Sequence, residues 1–315
     1  MVVPLVLDTD MGSDVDDALA LAFALRHPDI DLRAVTTVAD DTTMRANIAR
    51  KLTLLAGRGG IEVAAGIGDV TPPAGRRSWG GHEGRGLLEP GETLDISTRH
   101  AVTVLADALG HLAGGAPEVV TVGMQTNIAA ALRRDESAPG GLRRLHVMGG
   151  VFGPVEDLDQ SLPPSIDHNL NCDPAGALVS LNSGLRIVYV PCDVTIKTEL
   201  TMDHVEELRR GDPLCRALAA LIDVWREVQG EMMPPKRAAL LHDPLAVACT
   251  VDRRFVTSEE LHVTAAMHNG RVRTFVDPLE GSPAEVITSV DAEGFADFWL
   301  ATVLGRLSDL RPSAR

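Results

Sequence analysis

Aromatic side chains are scarce in this chain: three tryptophans, one tyrosine and six phenylalanines among 315 residues. A core with so few rings must be built mostly from Leu, Val, Ala and Ile. Cysteine is rare as well. Cys172, Cys192, Cys215 and Cys249 are scattered, with no CxxC pair, which argues against a zinc knuckle or a disulfide framework and for a reduced compartment. No apolar run is long enough to span a bilayer, and no basic leader precedes an apolar stretch, so no membrane partner and a cytoplasmic home are expected. Positive charge is also short. Lys and Arg number 29 against 44 Asp and Glu, a formal net charge of −15. Such a surface disfavours a nucleic-acid partner, whose phosphates demand basic residues, and suits a cation.

What the chain has in quantity is alternation. Short apolar runs such as VVPLVL, IDLRAVTTV, IEVAAG, EVVTVG, LRRLHVMGG and RIVYVP are separated by helical patterns such as VDDALALAFALRH and TTMRANIARKLTLLAG. Nearly continuous apolar strands alternating with helices predict a mostly parallel, doubly wound α/β sheet covered on both faces. Residues 69–98 and 153–168 break the rhythm and read as long loops, which in a compact domain are usually functional. Near the C-terminus, ELHVTAAMHNGRVRTFV predicts a hairpin turning at Asn269-Gly270, and DAEGFADFWLATVLGRL a final helix. With no repeat and no linker, one domain over residues 1–315 is expected.

Acidic residues crowd one place. DTDMGSDVDD, directly after the first strand, carries Asp8, Asp10, Asp14, Asp16 and Asp17. The start of a helix favours a carboxylate by about 0.3–1 kcal/mol, which accounts for one or two of them but not five. A hard divalent cation accommodates more, because calcium takes oxygen ligands from carboxylates, carbonyls and water. No Cys or His nearby suggests zinc. Gly12 permits the sharp turn that wrapping an ion needs, and ligands in open α/β sheets collect at the carboxyl ends of strands.

This stretch resembles the signature of the calcium-dependent nucleoside hydrolases, also called inosine-uridine-preferring hydrolases, a strand ending in DxDxGxDDA. Asp8, Asp10 and Gly12 match, as do Asp16-Asp17-Ala18, with Asp14-Val15 extra; a ligand role for Asp14 stays open. The resemblance continues in order through RAVTTVADD, VTVGMQTNIAAAL, LHVMGGVF, DHNLNCDPAGA, VPCDVT and LLHDPLAVA. It implies that Asp10, Asp17, Asp243 and the carbonyl of Thr126 hold Ca²⁺. It also implies that Asp10 is the general base for water attacking C1′ of a ribonucleoside, with free base and ribose as products. Asp16, Asp167 and Asn169 look like ribose ligands, His242 like the leaving-group acid, and His82 like the loop histidine of the site. A homodimer or homotetramer is the family's common state.

The chain departs from the pattern in places. Asp41 stands where Asn is usual, beside the metal, and Gln125 where an apolar residue is usual. Asp167 replaces Glu and shortens that arm by one methylene, and His168 replaces an aromatic. Phe152, Trp79 and Trp225 are candidates to stack on a nucleobase, whereas Phe298 and Trp299 belong in the core. Two rival readings remain at this level: a Mg²⁺-dependent phosphatase, which also carries DxD after its first strand, and a member of the same fold that binds calcium and ribose without cleaving.

Overall fold

The computed structural model describes residues 2–68, 80–110, 116–134, 144–158 and 160–307. In chain order the first half comprises β1 (Val3–Thr9), α1 (Asp16–Arg26), β2 (Ile30–Thr37), α2 (Thr42–Leu55), β3 (Glu62–Ala65), α3 (Ala101–Gly110), β4 (Glu118–Thr121), α4 (Thr126–Arg134) and β5 (Leu145–Met148). A small hairpin of β6 (Val155–Asp157) and β7 (Gln160–Leu162) follows, then α5 (Asn169–Cys172), α6 (Pro174–Leu181), β8 (Ile187–Val190) and α7 (Cys192–Thr195). Next come β9 (Glu199–Thr201), α8 (Met202–Arg209), α9 (Pro213–Gln229), β10 (Arg237–Leu240) and α10 (His242–Ala248). The chain ends in β11 (Val256–His268), β12 (Arg271–Val276), β13 (Ser282–Val290) and α11 (Ala292–Val303).

Nine strands form one sheet in the order β12-β11-β13-β8-β5-β4-β1-β2-β3. Within this sheet, neighbouring strands from β3 across β2, β1, β4 and β5 to β8, and the β8–β13 pair, are parallel, whereas among the described residues β11 pairs antiparallel with β12 and β13. This is the expected mostly parallel, doubly wound sheet. Side-chain alternation sets its two layers. Leu5 and Leu7 of β1 join Leu19, Phe23, Leu245 and Trp299 on one face, while Val6 joins Leu105, Ile128 and Leu181 on the other. Each such side chain, fully withdrawn from water, contributes about 1.5–3 kcal/mol. Trp299 is wholly buried and its indole N–H donates to the Leu19 carbonyl at 3.1 Å, so the last helix is tied to the first.

The chain runs outward from β1 through β2 to β3, then returns to place β4 on the other side of β1. That reversal opens a crevice at the carboxyl ends of β1 and β4. Asp8 pairs in register with Thr36 on one side and Thr121 on the other, so everything just past it faces the crevice. The segment expected as a long loop at 153–168 instead contains the β6–β7 hairpin and a 3₁₀ turn at Pro164–Ile166. Strands three residues long leave no periodicity to read. Of the loop expected at 69–98, residues 69–79, including Trp79, lie outside the described residues. Among the described residues no helix is long and apolar enough to cross a membrane.

Candidate active site

β1 ends at Thr9 and α1 begins at Asp16, so the acidic turn spans the mouth of the crevice. Two glycines shape it. Gly12 has φ +110, and a Cβ there would meet Ile48 Cδ1 at 2.8 Å. A Cβ on Gly123, past the end of β4, would meet Asp10 Oδ1 at 2.9 Å, so a bare backbone lets the β4 loop lie directly against Asp10.

Carboxylate oxygens of Asp16, Asp17 and Asp243 lie within 4.8 Å of one another, and all three residues are buried. Asp16 and Asp17 open α1, whereas Asp243 opens α10, so opposite ends of the chain supply the cluster. Burial pushes all three pKa values well above the usual carboxylate range, and the neighbouring aspartates, Asp10 and Asp14 among them, push them further. Two unit charges at that spacing repel by about 3.5 kcal/mol at an effective dielectric of about 20. A bound divalent cation reverses the sign of that energy. The donor set is oxygen only, with no Cys or His in the group, which fits a hard ion such as Ca²⁺.

Around this trio stands a second tier. Thr9 Oγ1 donates to Asp17 and also accepts from the Met11 amide at 3.2 Å. Asp14, half-buried, accepts from the Val15 amide at 2.5 Å, and burial raises its pKa to about 7. Asp8 lies fully buried beneath, accepting from Thr36 Oγ1 at 2.6 Å and Asn127 Nδ2 at 2.9 Å, while its Oδ2 has no partner among the described residues. Desolvation lifts its pKa to about 7.

Asp10 is half-buried beside the trio and its charge acts on every member. Thr126 opens α4, with its hydroxyl donated to Asp173 at 2.7 Å. His242 precedes Asp243 at the start of α10, and its Nδ1 lies 2.7 Å from Thr195 Oγ1. Burial first, then the Arg237 charge, lowers its pKa to about 4. His82 Nε2 is 3.0 Å from the Ser13 carbonyl, and its ring sits 6.2 Å from that of Trp225. These two rings line a narrow cleft with Met11, Gly12 and Asp14.

On the β4–β5 side, Asn169 Nδ2 donates to the Val122 carbonyl at 2.6 Å and the Met148 carbonyl at 3.1 Å. Asp167 accepts from the Gly150 amide at 2.6 Å and the Leu170 amide at 2.9 Å. Burial pushes the Cys192 thiol pKa well up, and the charges of Asp167, Asp193 and Asp243 push it further. Asp41 is exposed and caps α2 by accepting from the Met44 amide at 2.9 Å. Gln125 is fully buried and satisfied by Thr121, Gly123 and Ser180. Phe152 packs edge-on to Tyr189 at 5.3 Å.

Sequence reasoning missed Thr195, the Asp8–Thr36–Asn127 network and Arg45, which is buried at the start of α2 and donates to the Asp10 and Met11 carbonyls of the acidic turn. A lone Arg on a helix and a lone Thr after a strand resemble surface residues until the tertiary fold closes over them.

The family described as inosine-uridine preferring nucleoside hydrolase matches residues 5–297. The pyrimidine-specific ribonucleoside hydrolase RihA of Salmonella newport (strain SL254) is 31% identical over 317 residues, covering 94% of this chain and 97% of that protein. Among solved structures, a purine-preferring ribonucleoside hydrolase from Gardnerella vaginalis superposes with a TM-score of 0.79 at 25% identity, covering 96% of this chain and 99% of the other. The plant nucleoside hydrolase PpNRh1 shares the fold, with a TM-score of 0.81 at 24% identity over 96% of this chain and 98% of its own.

Proposed function

The chain belongs to the inosine-uridine preferring nucleoside hydrolase family, enzymes that cleave N-glycosidic bonds, and from that premise we propose that it hydrolyses ribonucleosides to free base and ribose with the aid of Ca²⁺. The observation that carries the proposal is the buried oxygen-only trio of Asp16, Asp17 and Asp243, assembled from α1 and α10. Asp10, Asp17, Asp243 and the Thr126 carbonyl would hold the ion, with Asp16 turned to both ion and ribose. Once bound, the ion supplies electrophilic activation of water and an anchor for sugar hydroxyls.

Asp10 accepts the proton of the attacking water as general base. The surrounding carboxylates favour the positive charge that develops on the ribosyl ring as the glycosidic bond breaks. Asp167 and Asn169 border the ribose, and His82 and Asp41 border the nucleoside at the rim. His242 is neutral at pH 7, because its pKa lies near 4. With Nδ1 accepting from Thr195, Nε2–H becomes a hydrogen-bond donor to the departing base.

The test is a panel of purine and pyrimidine ribonucleosides, assayed for released base with calcium and again after chelation. Release with calcium and loss under chelator are expected, and Asp10→Ala should abolish turnover, a drop of at least about 10³-fold, while circular dichroism stays unchanged. Ribonucleosides bound but never cleaved would instead identify a binding protein, and cleavage of p-nitrophenyl phosphate a phosphatase.

A further inference from the structure

Arg45 lies on the first turn of α2 and is 2% exposed. Burying a guanidinium costs several kcal/mol unless its donors are met. Here its five N–H groups find five acceptors. Nε donates to the Ala39 carbonyl at 2.8 Å. Nη1 donates to the carbonyls of Asp10 and, at 2.8 Å, Met11. Nη2 donates to Ser13 Oγ at 2.9 Å and to Asp40 Oδ2 at 3.1 Å. Three of the acceptors belong to the acidic turn after β1. The other two belong to the turn after β2, where Ala39 and Asp40 hold φ values of +73 and +48. Non-glycine residues keep such conformations only where their surroundings enforce them.

The one carboxylate that Arg45 touches, on Asp40, has a side chain 60% exposed, so that partner is largely screened by solvent. Most of the guanidinium charge is therefore directed at the turn that carries Asp10, Asp14, Asp16 and Asp17, and it acts on Asp17 across the turn. Ser13, inside that turn, is one of Arg45's ligands.

We propose that Arg45 is the positioning residue of this site, an internal clamp and countercharge that keeps the acidic turn folded in its ligand-ready shape before a divalent ion binds. A site held in shape beforehand does not spend binding free energy on ordering itself. The proposal rests on the reading that the turn binds calcium, and the test separates the two.

Hydrogen exchange of the amides of residues 11–15 is measured without ion and with calcium, in the wild type, Arg45→Gln and Arg45→Lys, alongside calorimetric titration with Ca²⁺. The wild-type turn should already be protected in chelator and gain little on adding calcium. Arg45→Gln should lose that protection while amides of β4 and β5 keep theirs, and calcium affinity should fall about tenfold or more. Arg45→Lys keeps the charge but has only three donors, so it should fall between. The wild type needs no variant to overturn the clamp: amides at 11–15 that exchange freely until calcium is added would do so, as would unchanged protection and affinity in Arg45→Gln. A wild type that binds no calcium would sink the metal reading, whereas the clamp is judged on the ion-free exchange.

Discussion

His242 has its imidazole neutral at pH 7, and in the proposed mechanism what it offers the leaving group depends on which nitrogen holds the proton. Thr195 sits 2.7 Å from Nδ1 and is fully buried, its own carbonyl fixed by the Thr198 hydroxyl at 2.7 Å. Thr195→Val removes the only hydroxyl in that contact without changing side-chain volume much. Nucleoside hydrolysis should then fall by about tenfold or more, as the hydrogen-bond donor to the departing base loses its orientation. A p-nitrophenyl riboside, whose leaving group needs no proton, should slow much less. Equal slowing of both substrates would show that Thr195 serves packing and not the leaving group. At this scale the sequence was partly legible. Five aspartates in ten residues, and a His-Asp-Pro corner, announce themselves by density and by charge that needs an explanation. Asp167 was visible as a shortened arm, and its cap on the Leu170 amide is local, but its engagement with the Gly150 amide was not visible, because that partner arrives from the loop after β5. Arg45 was unreadable for the same reason: three of its five acceptors are backbone carbonyls, the other two are a serine hydroxyl and an aspartate carboxylate, and all are brought by two separate turns.

Elements were more legible than residues, since a strand or helix is written in many positions at once. The hairpin at Asn269-Gly270 follows from local chemistry, and both residues do take positive φ, +50 and +75, as a two-residue turn of this hand requires. Helix α1 is buried from Asp16 through Leu25, so it shows no polar face, and only its length distinguishes it from a core strand. A cross-strand pair supplies a test at this level. His146 on β5 is fully buried with Nε2 2.6 Å from Glu118 Oε2 on β4, and burial lowers its pKa below 6.5 against the opposing pull of Glu118. The unfolded chain then takes up the proton more readily than the folded one. Stability is therefore fully present above pH 6.5 and declines as the pH falls below it, at up to about 1.4 kcal/mol per pH unit. Urea midpoints measured from pH 7 to 5 should decline less steeply for His146→Gln than for the wild type. Parallel slopes would assign the decline to other groups.

For the molecule as a whole, the acidic centre opposes the fold in the absence of its ion. Asp16 and Asp17 enter from the first helix and Asp243 from a helix late in the chain, so their mutual repulsion pushes apart elements that the apolar layer between α1 and α10 holds together. A cation between them turns that repulsion into a link between the two ends of the sequence. Calcium at about a hundred times its dissociation constant should stabilise the folded state by about 2.7 kcal/mol, a rise in melting temperature of roughly 5 °C for a chain this long. Asp243→Asn separates the two effects. Losing one of three crowded charges should raise the melting temperature of the ion-free protein, since function and stability conflict at such sites. The same change should abolish the calcium-dependent rise, because an amide oxygen replaces a charged ligand. Differential scanning calorimetry in chelator and in calcium measures both. A variant less stable than the wild type in chelator would mean that the three carboxylates do not strain the fold, and a full calcium response would remove Asp243 from the ligand set.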